Sequence, residues 1–349
     1  FVFSRVLPTY EYGAYQQVWL FYGLVSQLFI LGIPGSLLYF MPRLEPAKQK
    51  TLVVQSLLLL GAVGLLFGVA TWTSSALVAR QLRNPELSSY LRVFSVYPLL
   101  ALPATLFNML LISVDRPHAQ AAYSWTQSLL FVGFSSIPAL LRLPLTAILW
   151  AINAYALVLL LLTTSASLYL FRGQSLAWDL QLVRSQLLYS MPLGLAGSLA
   201  SASKLLDRAI VSVSFPADVY AVYVNGAYEL PVIGLITGSL MTVLIPEFVR
   251  KLRRGEASAA VWQLWNRATE KTALFLFPLC VFLLLFARDS MVVLFSQRYV
   301  GSAGIFAVYL LILPVRIGQY GALLRAMGHS GLIFLVSMLR LVADVIVGL

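Results

Sequence analysis

Residues 52–74 read LVVQSLLLLGAVGLLFGVATWTS, a run without one charged side chain. A helix that crosses a bilayer needs about 20 mostly apolar residues. The hydrocarbon core offers no water to free N–H and C=O groups, so such a run must satisfy its backbone internally as a helix. Strands of a closed barrel would alternate apolar and polar residues, which this run does not. Working outward, comparable stretches occupy 16–40, 92–113, 122–141, 145–171, 187–213, 219–245, 272–295, 303–324 and 331–349. The expected fold class is an all-α polytopic membrane protein with about ten transmembrane helices. The loops between the runs are too short to hold a folded domain of their own.

Composition agrees. Of 349 residues 60% are hydrophobic and 11% charged, against about 25% charged in soluble domains. That excludes a disordered chain and argues against a water-soluble enzyme. The 24 Lys and Arg outnumber the 13 Asp and Glu, giving +11. The cations lie mostly between the apolar runs, so the excess reads as the positive-inside bias of membrane loops and not as a nucleic-acid surface. Cys280 is the single cysteine, and His118 and His329 are the two histidines. No disulfide, multi-His metal site, Gly-rich phosphate loop or Ser/His/Asp set is expected, and with them no cofactor and no enzyme. The chain opens on Phe1 and ends inside an apolar run. It reads as a piece of a longer protein whose first helix is largely missing.

Alternate loops differ in charge. One set carries thirteen cations, among them Arg43, Lys48, Lys50, Arg172, Arg184, Arg250 and Lys251; the other carries seven, Arg5, Arg80, Arg83, Arg92, Arg142, Arg288 and Arg298. The first set is expected on the cytoplasmic side. Residues 174–186 and 256–271 combine Trp and Leu with Arg, the pattern of helices lying in the headgroup region.

A repeat sits inside the pattern. Residues 7–15 read LPTYEYGAY and residues 215–223 read FPADVYAVY, so that Pro8, Tyr12 and Tyr15 match Pro216, Tyr220 and Tyr223 at a constant offset of 208. An even number of runs separates the copies, so they share one orientation. This is the parallel repeat of several transporter folds. The expected organisation is an N-terminal lobe over 1–173, a cytoplasmic linker helix over 174–186 and a C-terminal lobe over 187–349, around a central cleft.

Several short motifs then converge. The run Pro8-Thr-Tyr-Glu-Tyr-Gly-Ala-Tyr, the stretches Leu31-Gly-Ile-Pro-Gly35 and Tyr39-Phe-Met-Pro-Arg43, and Leu206-Asp207-Arg208 followed by Val219-Tyr220 and Ile245-Pro246-Glu247 resemble the polysaccharide-transporter family of bacterial flippases. Leu294-Phe-Ser-Gln-Arg-Tyr-Val-Gly-Ser302 fits the same pattern. The resemblance is to O-antigen and exopolysaccharide flippases of the multidrug/oligosaccharidyl-lipid/polysaccharide exporter superfamily. It implies alternating access that moves a polyprenyl-diphosphate-linked oligosaccharide across the bacterial cytoplasmic membrane. It also implies membrane lipids and a polysaccharide polymerase or glycosyltransferases as partners. The alternatives are a multidrug or cation exporter of the same superfamily, or a membrane polysaccharide polymerase or ligase.

Charges within spans cost about 2.5–3.5 kcal/mol each on insertion scales and mark functional positions. Lys204, Asp207 and Arg208 fall at i, i+3 and i+4, one helix face with a net positive charge. Lys204, Arg208 and Arg316 are the candidate substrate path, since a diphosphate needs cationic, donor-rich partners. Asp207, Glu229, Arg340 and Asp344 are candidate charge partners or coupling groups. Gln17, Asn108, Gln127 and Asn153 suit either sugar hydroxyls or bonds between helices. Pro34, Pro98, Pro192 and Pro231 are expected to kink their spans.

Overall fold

The computed structural model describes residues 1–231, 233–235, 244, 247, 248, 250, 251 and 258–317, with 332, 335, 336, 338, 339 and 342. These residues form helices and turns, and they divide into two compact units, Val2–Asp218 and Phe1 with Val219 onward.

The first unit begins with α1 (Val2–Val6), α2 (Thr9–Ile30) and α3 (Ile33–Phe40). Pro8 immediately precedes α2, where its fixed φ favours a helix start. Leu31 and Gly32 both take left-handed φ, 52° and 69°, and break the α2–α3 rod in two. Pro34 then falls in the first turn of α3, so it opens a new helix and does not bend an existing one. α4 (Pro46–Gln81) carries the 52–74 run and extends it to 36 residues, about 54 Å at 1.5 Å per residue. Next come α5 (Leu87–Phe94), α6 (Tyr97–Ala104) and α7 (Leu106–Ser113), bent by 47° between α5 and α6. Pro98 lies in the first turn after that bend.

The bend has a packing reason. A Cβ on Gly64 would meet Pro98 O at 2.6 Å, and one on Gly68 would meet Ser95 O at 2.4 Å. The two glycines, four apart on α4, form a notch into which the α5–α6 joint fits.

α8 (Pro117–Leu140), α9 (Leu145–Leu170) and α10 (Leu180–Ser214) complete the unit. Ile33, Leu37, Leu52, Leu60, Leu106, Leu110 and Leu182 belong to one of its buried clusters. α10 packs along α2 and α3. At the break a Cβ on Gly32 would stand 2.6 Å from Ser190 O, and one on Gly194 would stand 2.4 Å from Leu31 C. Ser190, Gly194 and Ser198 recur every fourth residue, the small-residue stripe that lets two backbones approach within a membrane.

The expected linker helix over 174–186 is helical only from Leu180. Gly173 turns the chain at φ 87°, and residues 174–179 then run without regular structure against α4. Lys50 N–H donates to Gln174 Oε1 at 3.3 Å and Lys50 Nζ to Gln174 O at 2.9 Å. Ala177 N–H donates to Thr51 Oγ1 at 3.2 Å, and Gln55 Nε2 to Asp179 O at 3.1 Å. Asp179 caps α10 by accepting Leu182 N–H at 3.0 Å, with Lys48 Nζ 3.7 Å from its carboxylate. Asp179→Ala should therefore lower stability by about 1 kcal/mol, the usual value of such a cap. A thermal unfolding scan in detergent checks it, and an unchanged midpoint would refute the cap's role.

In the second unit α11 (Ala217–Gly226), which begins at the boundary, packs on α14 (Ser302–Leu310). Ser302 Oγ donates to Val222 O at 2.7 Å, and the Tyr223 and Tyr309 hydroxyls are 2.7 Å apart. α12 (Ser258–Leu285), α13 (Ala287–Leu294) and the short α15 (Leu313–Arg316) complete the described part. The surface helix expected over 256–271 is not separate: from Ser258 it runs unbroken into the following span. No Gly or Pro stands between Trp262 and Phe277 to end it.

Among the described residues four stretches are long and apolar enough to cross a membrane, Thr9–Arg43, Pro46–Gln81, Leu145–Leu170 and Val261–Leu285, and the bent α5–α7 rod makes a fifth if it is taken as one span. α8 and α10 have comparable length but carry more serines and amides. Leu65, Leu66, Val69, Trp72, Trp125 and Trp150 are each more than half exposed. An apolar surface of that extent belongs in lipid. The chain is an all-α multi-pass membrane protein.

Candidate functional site

α10 brings Lys204, Asp207 and Arg208 together on its C-terminal third. Lys204 is exposed, whereas Asp207 and Arg208 are half-buried and each is engaged by a neighbour. α2 runs close beside them: a Cβ on Gly23 would touch Leu205 Cδ1 at 3.0 Å. One face of α10 is thus held by α2 while the ammonium of Lys204 stays free to meet an anion.

Near the C-terminal end of α10, at Ser212, is a buried amide network. Gln17 Nε2 donates to Leu82 O at 3.0 Å and to Ser212 Oγ at 3.2 Å. Asn84 Nδ2 donates to Gln17 Oε1 at 2.7 Å, and Tyr10 OH donates to Asn84 Oδ1 at 2.7 Å. Gln17, Asn84 and Ser212 are fully buried. Gln17 is therefore a strut between helices, not a sugar ligand. Asn153 is likewise structural, 3% exposed and donating to Val93 O at 2.9 Å.

Asn108 and Gln127 differ. Asn108 Nδ2 donates to Gln127 Oε1 at 3.3 Å, and Asn108 Oδ1 accepts from Ser124 Oγ at 3.1 Å and Gln120 Nε2 at 3.4 Å. All four side chains are half-buried. Gln120, Ser124 and Gln127 follow i, i+4, i+7 on α8, a polar stripe on one helix face. That spacing is visible in the sequence and marks Gln120 and Ser124, which a reading of single amides passes over. Tyr123 OH lies 2.9 Å from Thr163 Oγ1 beside it. Tyr15, Trp19, Tyr22, Tyr97 and Phe131 pack edge to face with centroids 5.2–6.2 Å apart, a rigid aromatic interior for the unit.

At the other end of α3, Arg43 lies 3.9 Å over the Tyr39 ring and donates to Tyr39 O at 2.7 Å. Tyr39 in turn stacks on Tyr189 of α10 at 4.3 Å. Both tyrosines are more than one-third exposed.

The remaining candidates lie elsewhere. Glu229 is exposed and engaged by a neighbour. It sits in Tyr228–Leu230, which carries no regular structure, so the run expected over 219–245 is interrupted between Gly226 and Pro231. A chain that leaves the helix here frees backbone groups, a feature of transporter sites. Arg316 ends α15; its side chain lies outside the described part. Arg340 and Asp344 lie outside the described residues. Among the described residues no group of three His, Cys, Asp or Glu side chains is placed to hold a metal.

Taken together, the described groups offer one exposed cation on a half-buried charged face, and a stripe of amides and hydroxyls that a hydroxylated ligand could meet. Comparison with known proteins fits that chemistry. Residues 1–251 match the family described as "Polysaccharide biosynthesis protein". A stretch of 115 residues is 30% identical to the Rhizobium meliloti (strain 1021) protein named "Probable lipid II flippase MurJ", covering 33% of this chain and 21% of that protein. The similarity thus spans about a fifth of the relative's length. No solved structure matches.

Proposed function

The chain belongs to the polysaccharide biosynthesis protein family, and from that premise we propose that it is a flippase for a polyprenyl-diphosphate-linked oligosaccharide. It works in the bacterial cytoplasmic membrane, carrying the headgroup from the inner to the outer leaflet for O-antigen, capsule or exopolysaccharide synthesis. The single observation that carries the reading is the charged face of α10. A cation at membrane depth is costly, and Lys204 is exposed beside the half-buried Asp207 and Arg208. A diphosphate that must leave water gains most from such a face, through charge-assisted hydrogen bonds. Sugar hydroxyls would meet the Asn108–Gln120–Ser124–Gln127 stripe. Arg316 is a further path residue, and Asp207, Glu229, Arg340 and Asp344 balance charge or couple an ion.

Motion is by alternating access of two like-oriented lobes, 1–173 and 187–349, joined by 174–186. Two features support the repeat behind it. α2 starts directly after Pro8 and α11 directly after Pro216. Tyr12 and Tyr220 are 4% and 1% exposed. Glycosyltransferases and a polymerase act before and after the step.

Lys204→Ala combined with Arg208→Ala should lower surface polysaccharide about tenfold, equivalent to about 1.4 kcal/mol of lost stabilisation. The assay is polymer at the cell surface, normalised to protein in the membrane. Normal polymer at normal protein level would overturn the cationic path. The stretch similar to the R. meliloti protein favours lipid II as the second reading of the substrate. Growth of cells depleted of their own lipid II flippase when this protein is expressed, without restored polysaccharide in a flippase-null strain, would select it.

A further inference from the structure

The turn between α4 and α5 holds a cavity of about 480 Å³ lined by Arg80, Arg83 and Ser88 with Ala76, Ala79 and Pro85. A third arginine stands beside it. Arg92 Nε donates to Ser75 Oγ at 3.3 Å, and Ser88 Oγ donates to the same oxygen at 3.3 Å. The Arg92 guanidinium also lies 5.9 Å from the Trp72 ring centroid.

Among the described residues no carboxylate pairs with any of the three arginines. Glu86, the acid of this turn, instead accepts Tyr90 OH at 3.3 Å. The cavity therefore carries positive charge without an internal counter-ion. The α4 helix that supplies Ala76, Ala79 and Arg80 to its wall also carries exposed apolar residues. Leu65, Val69, Trp72 and Ala76 follow i, i+4, i+7, i+11 on one face of α4, and Leu65, Val69 and Trp72 are 53%, 53% and 57% exposed. Cations at one end of an apolar, lipid-facing strip fit a molecule with an anionic head and acyl tails. The turn also belongs to the cation-poor set of loops, so three arginines gathered there run against the bias that sorts the others.

We propose that this cavity is a binding site for an anionic diacyl phospholipid, whose phosphate is held by Arg80 and Arg83 with Arg92 beside them and whose chains lie along Leu65, Val69 and Trp72. The chemistry is that of basic pockets between transmembrane helices, which attract anionic lipid headgroups, placed here on the cation-poor side.

The test is native mass spectrometry of the purified full chain, released from detergent with phosphatidylglycerol or with phosphatidylcholine. Phosphatidylglycerol should remain bound about tenfold more than phosphatidylcholine. Arg80→Gln with Arg83→Gln should abolish the preference. Arg83→Gly guards against misfolding: Arg83 has a left-handed φ of 47°, where glycine is at ease. That variant should melt no earlier than the parent in lipid-free detergent yet retain several-fold less phosphatidylglycerol. Arg142→Gln, at another turn of the same loop set, should retain it fully. Equal retention of the two lipids, or undiminished retention by both Arg83 variants, would overturn the proposal. So would inorganic phosphate alone raising the melting temperature as much as phosphatidylglycerol, because the site would then be one for a bare anion.

Discussion

Gly194→Val should destabilise the first unit by about 3 kcal/mol or more, at the upper end of overpacking substitutions. Added atoms at this position would meet backbone only: Leu31 C at 2.4 Å, Gly32 N at 2.7 Å and Leu31 Cα at 2.8 Å from the first carbon. No flexible side chain can move aside. The obstacle is reciprocal, since a Cβ on Gly32 would stand 2.6 Å from Ser190 O and 2.9 Å from Gly194 N. α10 would have to shift by about an ångström, beyond the reach of well-formed hydrogen bonds. The bonds lost would lie on both sides of the contact. Toward the start of α10, Gln186 Nε2 donates to Ser36 Oγ at 2.9 Å and to Ser56 Oγ at 2.8 Å. Toward its end lies the Gln17–Ser212 pair. Gly194→Ala should show the same direction at smaller size. The measurement is monodisperse yield on size exclusion together with the unfolding midpoint in detergent. A valine variant that melts with the parent would show that α10 does not pack as described.

Gln17→Leu should cost about 3 kcal/mol, although leucine is of similar size and more apolar. The loss comes from what is left behind. Leu82 C=O and the Asn84 amide would remain buried without the partners they have now, at about 1–3 kcal/mol for each unsatisfied group. Asn84 also holds Tyr10 OH and Leu87 N–H, so its disorder would spread to the α4–α5 turn. Asn84→Leu alone should be comparably harmful, but the double variant should cost clearly less than the two single costs added together, because both ends of one amide pair are then gone. Additive costs in unfolding experiments would mean that the pair is not coupled.

Helices were easier to read from sequence than their neighbours were. The 145–171 run is α9 nearly to the residue, and 52–74 lies wholly within α4. Apolar length determines a span, and length is local. The break at Leu31–Gly32 was harder, because Gly-Ile-Pro-Gly reads equally as a kink. Only the approach of α10 explains why the chain turns left-handed there. A surface helix over 256–271 follows from composition, yet nothing in Lys271-Thr-Ala interrupts a helix, and none ends there. Among the site residues the shared face of Lys204, Asp207 and Arg208 follows from spacing alone. Whether an amide is a strut or a ligand does not, since Gln17 and Gln127 look alike until burial separates them.

The connector over 174–179 is held mostly by its main chain: Gln174 O, Ala177 N–H and Asp179 O make three of its four bonds to α4. Apart from Asp179, which caps α10 and pairs with Lys48, its own side chains are therefore nearly free to drift over evolutionary time. Selection should fall on the fixed docking rail instead, on Lys50, Thr51 and Gln55, so that diverged descendants of this chain keep the rail while the connector's spelling wanders.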